Sequence, residues 1–402
     1  MPGFEPFLGV RYDLDRFAPA DVTAPPYDVL SAADRAALCA RSDHNVVCID
    51  LPSESEGESR YLDAGRRFAR WRSEGALVTD REPAFTIYQM AFTDDLGRPA
   101  TTLGVIGAMQ LSRPGEGDIL PHEHTTPKAR SDRLDLLRGT RANLSAVWGL
   151  SLAEGLTEQL ICDEPPAASW ADDDGVEHSL WQVGDSDRVG AISAMVAGSP
   201  VVIADGHHRY ETCLAYRDER RQVDGPDGPS DSTMCFVVEL VEDQLTVRPI
   251  HRLLTGLPVG FDARRGLEDG GLRTGVELDP VAIADGRVLE AMQEQGALAL
   301  VEPDRITLMH PDPAAFSGTA DLDSARLARA LGSLPAHSVS YQHGADLVAK
   351  AVGNGEAQAG VLLRPATVAQ IEANAHAGER MPPKTTFFHP KPKTGIVFRD
   401  LD

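Results

Sequence analysis

The segment Asp205-Gly-His-His-Arg209 combines residue types that bind phosphate. Gly206 lets the backbone approach an oxygen atom closely, while His207, His208 and Arg209 can donate hydrogen bonds to an anion. Asp205 could hold a magnesium ion, orient a histidine or accept a proton from a hydroxyl group. Alternatively, Asp205 only caps a helix and the histidines lie on the surface. Three donors so close together favour a phosphate-binding loop.

A second cluster of polar side chains lies between positions 122 and 133. Glu123 stands between two histidines and near Lys128, which suits acid–base chemistry or the positioning of Mg²⁺. His122 and His124 could instead ligate a transition metal, although zinc needs a third protein ligand. A solvated loop is the remaining alternative.

The sequence on either side of Asp205-Gly206 predicts how the first cluster is positioned. The apolar run 201–204 reads as a buried strand, and the spacing of Tyr210, Cys213, Leu214 and Arg217 predicts a helix from His207 to about Arg220. A loop between a strand and a helix N-terminus presents free backbone N–H groups and the positive end of the helix dipole. This order therefore predicts an anion site.

Elsewhere strand and helix patterns are mixed along the chain. The alternation from Leu103 to Leu111 predicts a half-buried strand. Hairpins are predicted for 234–241 with 245–247 and for 297–301 with 305–309, and Thr367-x-x-Gln370 fits a capping box at the start of a final helix. We therefore expect an α/β (α+β) fold with mixed sheets.

The turn residues between 223 and 232 predict a flexible connection. We expect residues 1–220 to form a main α/β region that contains the phosphate-binding loop, 221–232 to form a flexible loop, and 233–402 to form a C-terminal α/β region. The two α/β regions could pack as one unit.

The composition is that of a globular protein, with 402 residues and a formal net charge of −23. This charge disfavours nucleic acids and anionic membranes as partners. No window offers the ~20 apolar residues of a membrane span, and the N-terminus lacks signal-peptide features, so we expect a cytoplasmic protein. Five scattered cysteines without a Cys-x-x-Cys pair argue against a disulfide framework, and each is expected to be a small core residue.

Five segments, in order along nearly the whole chain, resemble the bacterial and archaeal family catalogued as domain of unknown function 1015. The matching segments are Ala24-Pro-Pro-Tyr-Asp-Val29, Pro121-His-Glu123 with Thr125 and Asp132-Arg133, Ala204 to Thr212, Pro249-Ile-His-Arg252, and Gly378 to Lys384. The Asp205 segment also resembles the phosphate-binding signature of the ParB/sulfiredoxin superfamily, which includes kinases that phosphorylate free L-serine.

The resemblance implies a ParB/sulfiredoxin-like phosphate-binding core with additional α/β elements. It implies that Gly206, His207, His208 and Arg209 hold the phosphates of ATP, ADP or pyrophosphate, with Asp205 facing Mg²⁺ or the hydroxyl of the acceptor. The acceptor implied is free L-serine or a similar small metabolite. Sulfiredoxin activity is not expected, because that chemistry needs a cysteine in the loop.

The resemblance leaves the catalytic base open, and we consider Glu123 first, Asp28 second and Asp205 as a further candidate. We also consider six candidate substrate-binding residues. Lys128 belongs to the second polar cluster, and the other five lie in the matching segments, namely His122, Thr125, Arg133, Arg252 and Lys384. Two other functions remain possible on the sequence. One is a ParB-like nucleotide-binding switch without a small-molecule product, and the other is metal-assisted hydrolysis of a phosphoester.

Overall fold

The computed structural model describes residues 2–53, 57, 59–94, 97–121, 127–378 and 381–402, with the backbone alone at 121 and 127–131. The chain divides into two compact units. Unit 1 is Met1–Thr246 with Pro390–Asp402, and unit 2 is Val247–His389. Among the described residues, no helix has the length and apolar character needed to cross a bilayer.

Strands occur throughout both units. In chain order they are β1 (Phe4–Glu5), β2 (Gly9–Tyr12), β3 (Leu77–Thr79), β4 (Phe85–Thr93), β5 (Pro99–Gln110), β6 (Ile119–Pro121), β7 (Ala142–Asn143), β8 (Val147–Ser151), β9 (Ala168–Ala171), β10 (Glu177–Val183), β11 (Val201–Asp205), β12 (Ser232–Glu239), β13 (Thr246–Arg248), β14 (His251–Thr255), β15 (Leu272–Leu278), β16 (Leu298–Val301), β17 (Ile306–Pro311), β18 (Ser338–Gln342), β19 (Ala359–Leu362), β20 (Phe387–His389) and β21 (Phe398–Asp400).

Helices alternate with these strands. They are α1 (Pro19–Val22), α2 (Ala32–Arg41), α3 (Val47–Asp50), α4 (Arg60–Ser73), α5 (Pro127–Thr140), α6 (Leu156–Leu160), α7 (Ser186–Ala197), α8 (His207–Asp224), α9 (Ala263–Asp269), α10 (Val281–Ala284), α11 (Arg287–Gln295), α12 (Asp323–Leu331), α13 (Ala345–Gly353) and α14 (Val368–Ala377). The predicted α/β class with mixed sheets is confirmed.

A nine-stranded mixed sheet forms the main layer of unit 1. Its order is β6-β11-β8-β12-β5-β4-β10-β9, and β1 also pairs with β5. The pairs β6–β11 and β8–β12 are parallel, whereas the pairs between β11 and β8 and between β12 and β5 are antiparallel. Apolar side chains of α6, α7 and α8 join the core of this sheet through Leu156, Ile192 and Tyr210. The sheet thereby places the carboxyl end of β11 beside the start of α8.

Strand β5 is buried on both faces, so the prediction of a half-buried strand was wrong. Val105 and Met109 lie in the helix-covered core, while Ile106 and Thr102, on the opposite face, are equally buried. The reason is its position between β4 and β12 in a sheet covered on both sides.

One of the two predicted hairpins forms. Strands β16 and β17 pair antiparallel, with the Glu302 N–H donating to the Arg305 carbonyl in the turn. The other prediction was wrong, because β12 enters the nine-stranded sheet while β13 pairs with β20. The capping box of Thr367 and Gln370 is confirmed at the start of α14.

A second sheet of unit 1 has the order β3-β2-β21-β7 and brings the C-terminal strand between two N-terminal ones. Phe398 of β21 packs with Phe68 and Trp71 of α4 in a separate apolar cluster. Because β21 is a central strand, residues 390–402 belong to unit 1 although they follow unit 2 in sequence.

Unit 2 is built on a six-stranded sheet of order β15-β17-β16-β19-β14-β18. Successive residues of β16 face two different apolar clusters, with Leu298 and Leu300 in one and Ala299 and Val301 in the other. This alternation shows that both faces of the sheet are covered.

The boundary between the units differs from the one expected at 221–232. That stretch lies inside unit 1, where it connects α8 to β12, the strand that pairs with both β5 and β8. Turn residues mark a connection between two elements, but they do not reveal whether those elements share one sheet.

Candidate functional site

The loop at Asp205-Gly206 lies between β11 and α8, as predicted. The register of β11 on β8 shifts between Ile203 and Asp205, which is a β-bulge or a similar irregularity at the end of the strand. Bulges at strand ends re-aim side chains and are common beside active sites. Gly206 has a φ of +87° and is followed at once by the first turn of α8. The first backbone N–H groups of a helix have no partner within the helix, so they can serve an anion.

Arg209 turns back over the loop that precedes it. Its Nη2 donates to Asp205 Oδ2 at 2.7 Å, and its Nη1 donates to the Ala146 carbonyl. A Cβ atom on Gly206 would lie 2.9 Å from Arg209 Nε and 3.0 Å from Cζ. Glycine is therefore favoured at position 206 by the positive φ, and a Cβ there would also displace the guanidinium above it.

Lys391 bridges two carboxylates from distant parts of unit 1. Its Nζ donates to Asp28 Oδ2 at 2.8 Å and to Asp205 Oδ1 at 3.2 Å. Asp28 lies in a short 3-10 helix, Tyr27–Val29, which follows the rigid Pro25-Pro26 pair. The Lys391 side chain is only 11% exposed, so its charge is held away from bulk water.

The surrounding charges control the protonation of this cluster. Burial disfavours the ionised form of Asp205, but the positive charges of Lys391 and Arg209 outweigh it and hold the pKa of Asp205 well below its usual range. Burial also opposes the charge on Lys391, yet Asp205 and Asp28 raise its pKa. Both groups are thus ionised at neutral pH.

A second ion pair lies close to the first. Arg133 of α5 donates to Asp50 at the end of α3 over 3.2 Å, and both side chains are almost fully buried. The Arg133 guanidinium also lies 4.1 Å from the ring centroid of Tyr27, the neighbour of Asp28. Arg133, Asp50 and Arg209 line a common cavity of about 50 Å³. Burial raises the pKa of Asp50, and the charges of Arg133 and Arg209 oppose that increase.

A cavity of about 430 Å³, within the size range of small-molecule sites, is lined in part by residues that are close in sequence to Asp28 and Lys391. Val29, next to Asp28, and Lys393, two residues after Lys391, both line it. The remaining wall comes from α1, α2, the Thr23–Pro25 segment, Trp170 at the end of β9 and the turn 172–174.

A buried polar network supports the wall of this cavity. Lys393 Nζ lies 2.6 Å from Asp172 Oδ2, which also contacts His178 Nε2 at 3.1 Å. His178 Nδ1 pairs with Tyr88 Oη at 2.8 Å, and the Trp170 ring stacks on His178. Burial opposes the ionisation of Asp172, but Lys393 and His178 lower its pKa to about 2. The network keeps the Lys393 ammonium at a defined position.

The structure brings together several of the residues predicted from the sequence. Asp28, Arg133, Asp205 and Arg209 meet directly or through Lys391 and Tyr27, and His207 is close enough to Asp205 for its charge to affect that carboxylate. His122, Glu123 and Thr125 lie outside the described residues. Lys128 lies in the first turn of α5, and its side chain is also outside the described part.

Strand β6 ends beside the candidate site. Pro121, its last residue, pairs in parallel with Ile203, two residues before Asp205. Parallel strands end at the same edge of a sheet, so the described chain before position 122 stops next to the carboxyl end of β11.

Arg252 and Lys384 both belong to unit 2. Arg252 is buried, and its guanidinium donates to the backbone carbonyls of Ile250, Pro383 and Lys384. It also lies 4.6 Å from the ring centroid of Tyr341. These contacts stabilise the fold of unit 2, while a role in substrate binding stays a prediction.

Sequence reasoning missed Lys391 and Asp50. Only five residues of this arginine-rich chain are lysine, and two of them stand in Lys391-Pro-Lys393, which is a signal that could have been used. In the structure Lys391 contacts Asp28 and Asp205, whereas Lys393 contacts Asp172. Asp50 stands in an ordinary apolar run and carries no such signal.

The described residues contain no group of three or more His, Cys, Asp or Glu side chains arranged to hold a metal ion. Asp28 and Asp205 nevertheless converge on one cationic nitrogen. Mg²⁺ is commonly held by one or two carboxylates together with substrate phosphates, so this pair fits the requirement.

Several solved structures share weak overall similarity with this chain. A conserved hypothetical protein from Pyrococcus furiosus has a TM-score of 0.37 and 13% identity, covering 70% of this chain and 90% of that one. A free serine kinase in complex with AMP has a TM-score of 0.37 and 14% identity, covering 67% and 83%. SbnI from Staphylococcus aureus, truncated at its C-terminus, has a TM-score of 0.40 and 13% identity, covering 69% and 82%.

With TM-scores of 0.37 to 0.40 and identities of 13–14%, this similarity assigns no activity to the chain. No curated protein matches its sequence significantly. Residues 4–316 match the family model described as "Protein of unknown function (DUF1015)", more than three quarters of the chain, and the chain therefore belongs to this family.

Proposed function

We propose that this protein is a phosphotransferase that moves a phosphoryl group from ATP, ADP or pyrophosphate to the hydroxyl of free L-serine or a similar small metabolite. One observation carries the proposal. Two buried cations, Arg209 and Lys391, and two carboxylates, Asp28 and Asp205, meet at a strand-to-helix loop. A ligand-sized cavity is lined by Val29 and Lys393, which are close in sequence to Asp28 and Lys391. Phosphoryl transfer needs mainly positioning and charge neutralisation, which such a cluster can supply.

The charge balance of the cluster supports the use of a divalent cation. Arg133, Arg209 and Lys391 are matched by Asp28, Asp50 and Asp205. A phosphate donor would add negative charge to a site that is already neutral. We infer that Asp28 and Asp205 would hold Mg²⁺, which would supply the positive charge needed to neutralise the phosphates.

The state of Asp205 favours a role as metal ligand over a role as catalytic base. A carboxylate whose pKa lies well below its usual range is a weak proton acceptor, and a general base works best with a pKa near the working pH. We therefore keep Glu123 as the first candidate for the base and Asp28 as the second. The position of β6 beside β11 supports Glu123, because that residue follows β6 by two positions.

The cavity of about 430 Å³ is our candidate for the acceptor site, because Val29 in its wall adjoins Asp28. An acceptor bound there would lie next to the cluster that holds the donor. Lys393, fixed by Asp172, is available to contact an anionic group of the acceptor.

The test is a direct assay of the full chain. The protein is incubated with Mg²⁺, one of the three donors and a panel of free amino acids and small hydroxy compounds, and the products are identified by mass spectrometry. We expect a phosphorylated hydroxyl compound that disappears on chelation of the metal. Asp205→Asn and Lys391→Met should abolish it.

Matched substitutions control for general damage. Asp218→Asn changes an exposed carboxylate on the same helix α8, and Lys350→Met changes an exposed lysine of α13. Both should retain full activity. If nucleotide binds but no donor yields a product, the protein is a binding switch and the kinase proposal is wrong.

A further inference from the structure

Two cysteines of unit 1 hold their sulfur atoms close together. Cys39 lies in α2 and Cys48 in α3, and their Sγ atoms are 2.6 Å apart. This separation is only about 0.5 Å greater than the ~2.05 Å length of an S–S bond. Neither sulfur is assigned to a disulfide in this structure. The sequence pattern, which lacks Cys-x-x-Cys, gave no reason to pair them.

The two thiols differ in their surroundings. Cys48 is buried, whereas Cys39 is half-buried. The hydrogen bond with Cys39, together with burial, raises the pKa of the Cys48 thiol. An attacking sulfur must be both accessible and ionised, so Cys39 is the better placed to react first.

We propose that Cys39 and Cys48 form a reversible disulfide by exchange with a low-molecular-weight disulfide such as oxidised glutathione. The Cys39 thiolate attacks one sulfur of that compound, which forms a mixed disulfide and releases one thiolate. Cys48 then loses its proton to solvent and attacks the Cys39 sulfur, and a second thiolate leaves. The protein loses two electrons and two protons, and the small disulfide becomes two thiols.

The bond would join two elements of the candidate site. Helix α2 contributes Asp34, Ala37, Leu38 and Arg41 to the wall of the 430 Å³ cavity. Helix α3 ends at Asp50, the partner of Arg133. Oxidation would therefore tie the cavity wall to the segment that carries the buried ion pair. The proposal is independent of the proposed function, because the bond can be detected without any turnover.

The three other cysteines serve as internal controls. Cys162 lies 3.3 Å from Arg188 Nη2, Cys213 lies 3.2 Å from Thr233 Oγ1, and Cys235 contacts the Phe236 carbonyl. These contacts are with nitrogen or oxygen atoms, so the three cysteines are expected to stay reduced under the same conditions.

The experiment equilibrates the folded, full-length protein in buffers of increasing oxidised-to-reduced glutathione ratio, followed by acid quench, alkylation and trypsin digestion. Because Arg41 separates the two cysteines, oxidation should link the tryptic peptides 36–41 and 42–60. We expect this linked pair to appear, while the three other cysteines stay reduced and are therefore alkylated after the quench. Dithiothreitol should reduce the bond without unfolding the protein. The linked form should run as a monomer on a non-reducing gel.

Two variants test the order of events. Cys48→Ser should accumulate glutathione on Cys39, whereas Cys39→Ser should leave Cys48 largely unmodified. Cys162→Ser should form the linked pair as the wild type does. The proposal is overturned if Cys39 and Cys48 of the wild type are both still alkylated after equilibration in the most oxidising buffer. It is also overturned if other cysteines form linked peptides equally well, or if dithiothreitol cannot reduce the bond in the folded protein.

Discussion

Lys391 is the residue that holds the two carboxylates of the candidate site together. Its partners Asp28 and Asp205 lie 363 and 186 residues away in sequence. Removal of one partner of a buried ion pair leaves an uncompensated charge, which is more costly than the loss of the attraction itself. Lys391 therefore contributes to stability as well as to the charge of the site.

We expect Lys391→Met to lower the free energy of unfolding at pH 7 by about 2–3 kcal/mol, less than for a fully buried pair because Asp28 is partly exposed. Urea denaturation measures the loss, and Lys391→Arg should recover most of it. The folded pKa of Asp205 is lowered, so its stabilising effect is present above the usual value of 3.8 and is lost as pH falls below it. The difference between wild type and Lys391→Met should therefore shrink in acid.

Arg209 is predicted to affect donor binding and turnover together. Its guanidinium would contact phosphate charge present both in the bound donor and in the transition state. Arg209→Ala should reduce kcat/KM on the order of 10²-fold, with weaker donor binding measured by calorimetry. Arg217→Ala removes a comparably buried arginine from the same helix and should destabilise the fold without changing donor affinity. If both substitutions weaken donor binding equally, Arg209 is not part of the donor-binding site.

Glu123→Gln separates a kinase from a binding switch. The change keeps the shape but removes a base, so kcat should fall by roughly 10²-fold or more with little loss of donor affinity. Turnover and donor binding are measured on the same preparation. If Glu123→Gln leaves turnover intact while Asp28→Asn lowers it, the base is Asp28, and if only Asp205→Asn has an effect, Asp205 takes that role.

At the scale of elements, the β11 to α8 turn depends on the contact between Gly206 and Arg209. Gly206→Ala should cost about 1–2 kcal/mol for the left-handed backbone, with a further loss from displacement of the guanidinium. In an Arg209→Ala background that further loss should disappear, which a double-mutant cycle in urea measures.

Gly225→Ala provides a control for coupling at the other end of the same helix, in a different backbone region because its ψ is −178°. Gly225 has a φ of +86°, and a Cβ there would meet no atom within 4 Å. Its substitution should therefore cost the same in both backgrounds. Coupling of Gly225 to Arg209 as strong as that of Gly206 would contradict the local explanation.

At the scale of the whole molecule, acid should destabilise unit 2 through His251. This side chain is 2% exposed, and its Nδ1 accepts a hydrogen bond from the Leu363 N–H. Burial, assisted by the charges of Arg252 and His343, lowers the pKa of His251 from 6.5 to about 4. The unfolded chain binds a proton below pH 6.5 that the folded chain does not bind until about pH 4.

The contribution of His251 is therefore complete above pH 6.5 and is lost as pH falls toward 4. Between pH 7 and pH 4.5 we expect wild type to lose about 2–3 kcal/mol more than His251→Gln, measured by urea unfolding at both values. His310→Gln, in strand β17 of the same sheet, serves as the control and should follow wild type. Parallel pH profiles for wild type and His251→Gln would rule out a lowered pKa at this residue.

The sequence by itself determined the features that depend on neighbouring residues. An apolar run, a glycine and a helical stripe predicted β11, the turn at Gly206 and α8, and Thr367 with Gln370 predicted the start of α14. Each of these rests on hydrogen bonds or packing within a few residues, so the pattern is visible in a short window. Family membership and the mixed α/β class also followed from the sequence. Membership of the ParB/sulfiredoxin superfamily stays a prediction.

Only the tertiary structure decided which distant residues meet. Lys391 reaches Asp28 and Asp205 because β21 returns the C-terminus to the middle of an N-terminal sheet. Strand β5 is buried on both faces because its sheet is covered on both sides, which its own alternation could not reveal. Such contacts join segments separated by tens to hundreds of residues, and no local propensity encodes them. Sequence patterns could therefore not predict which residues form the ion-pair cluster, although they did predict the loop at its centre.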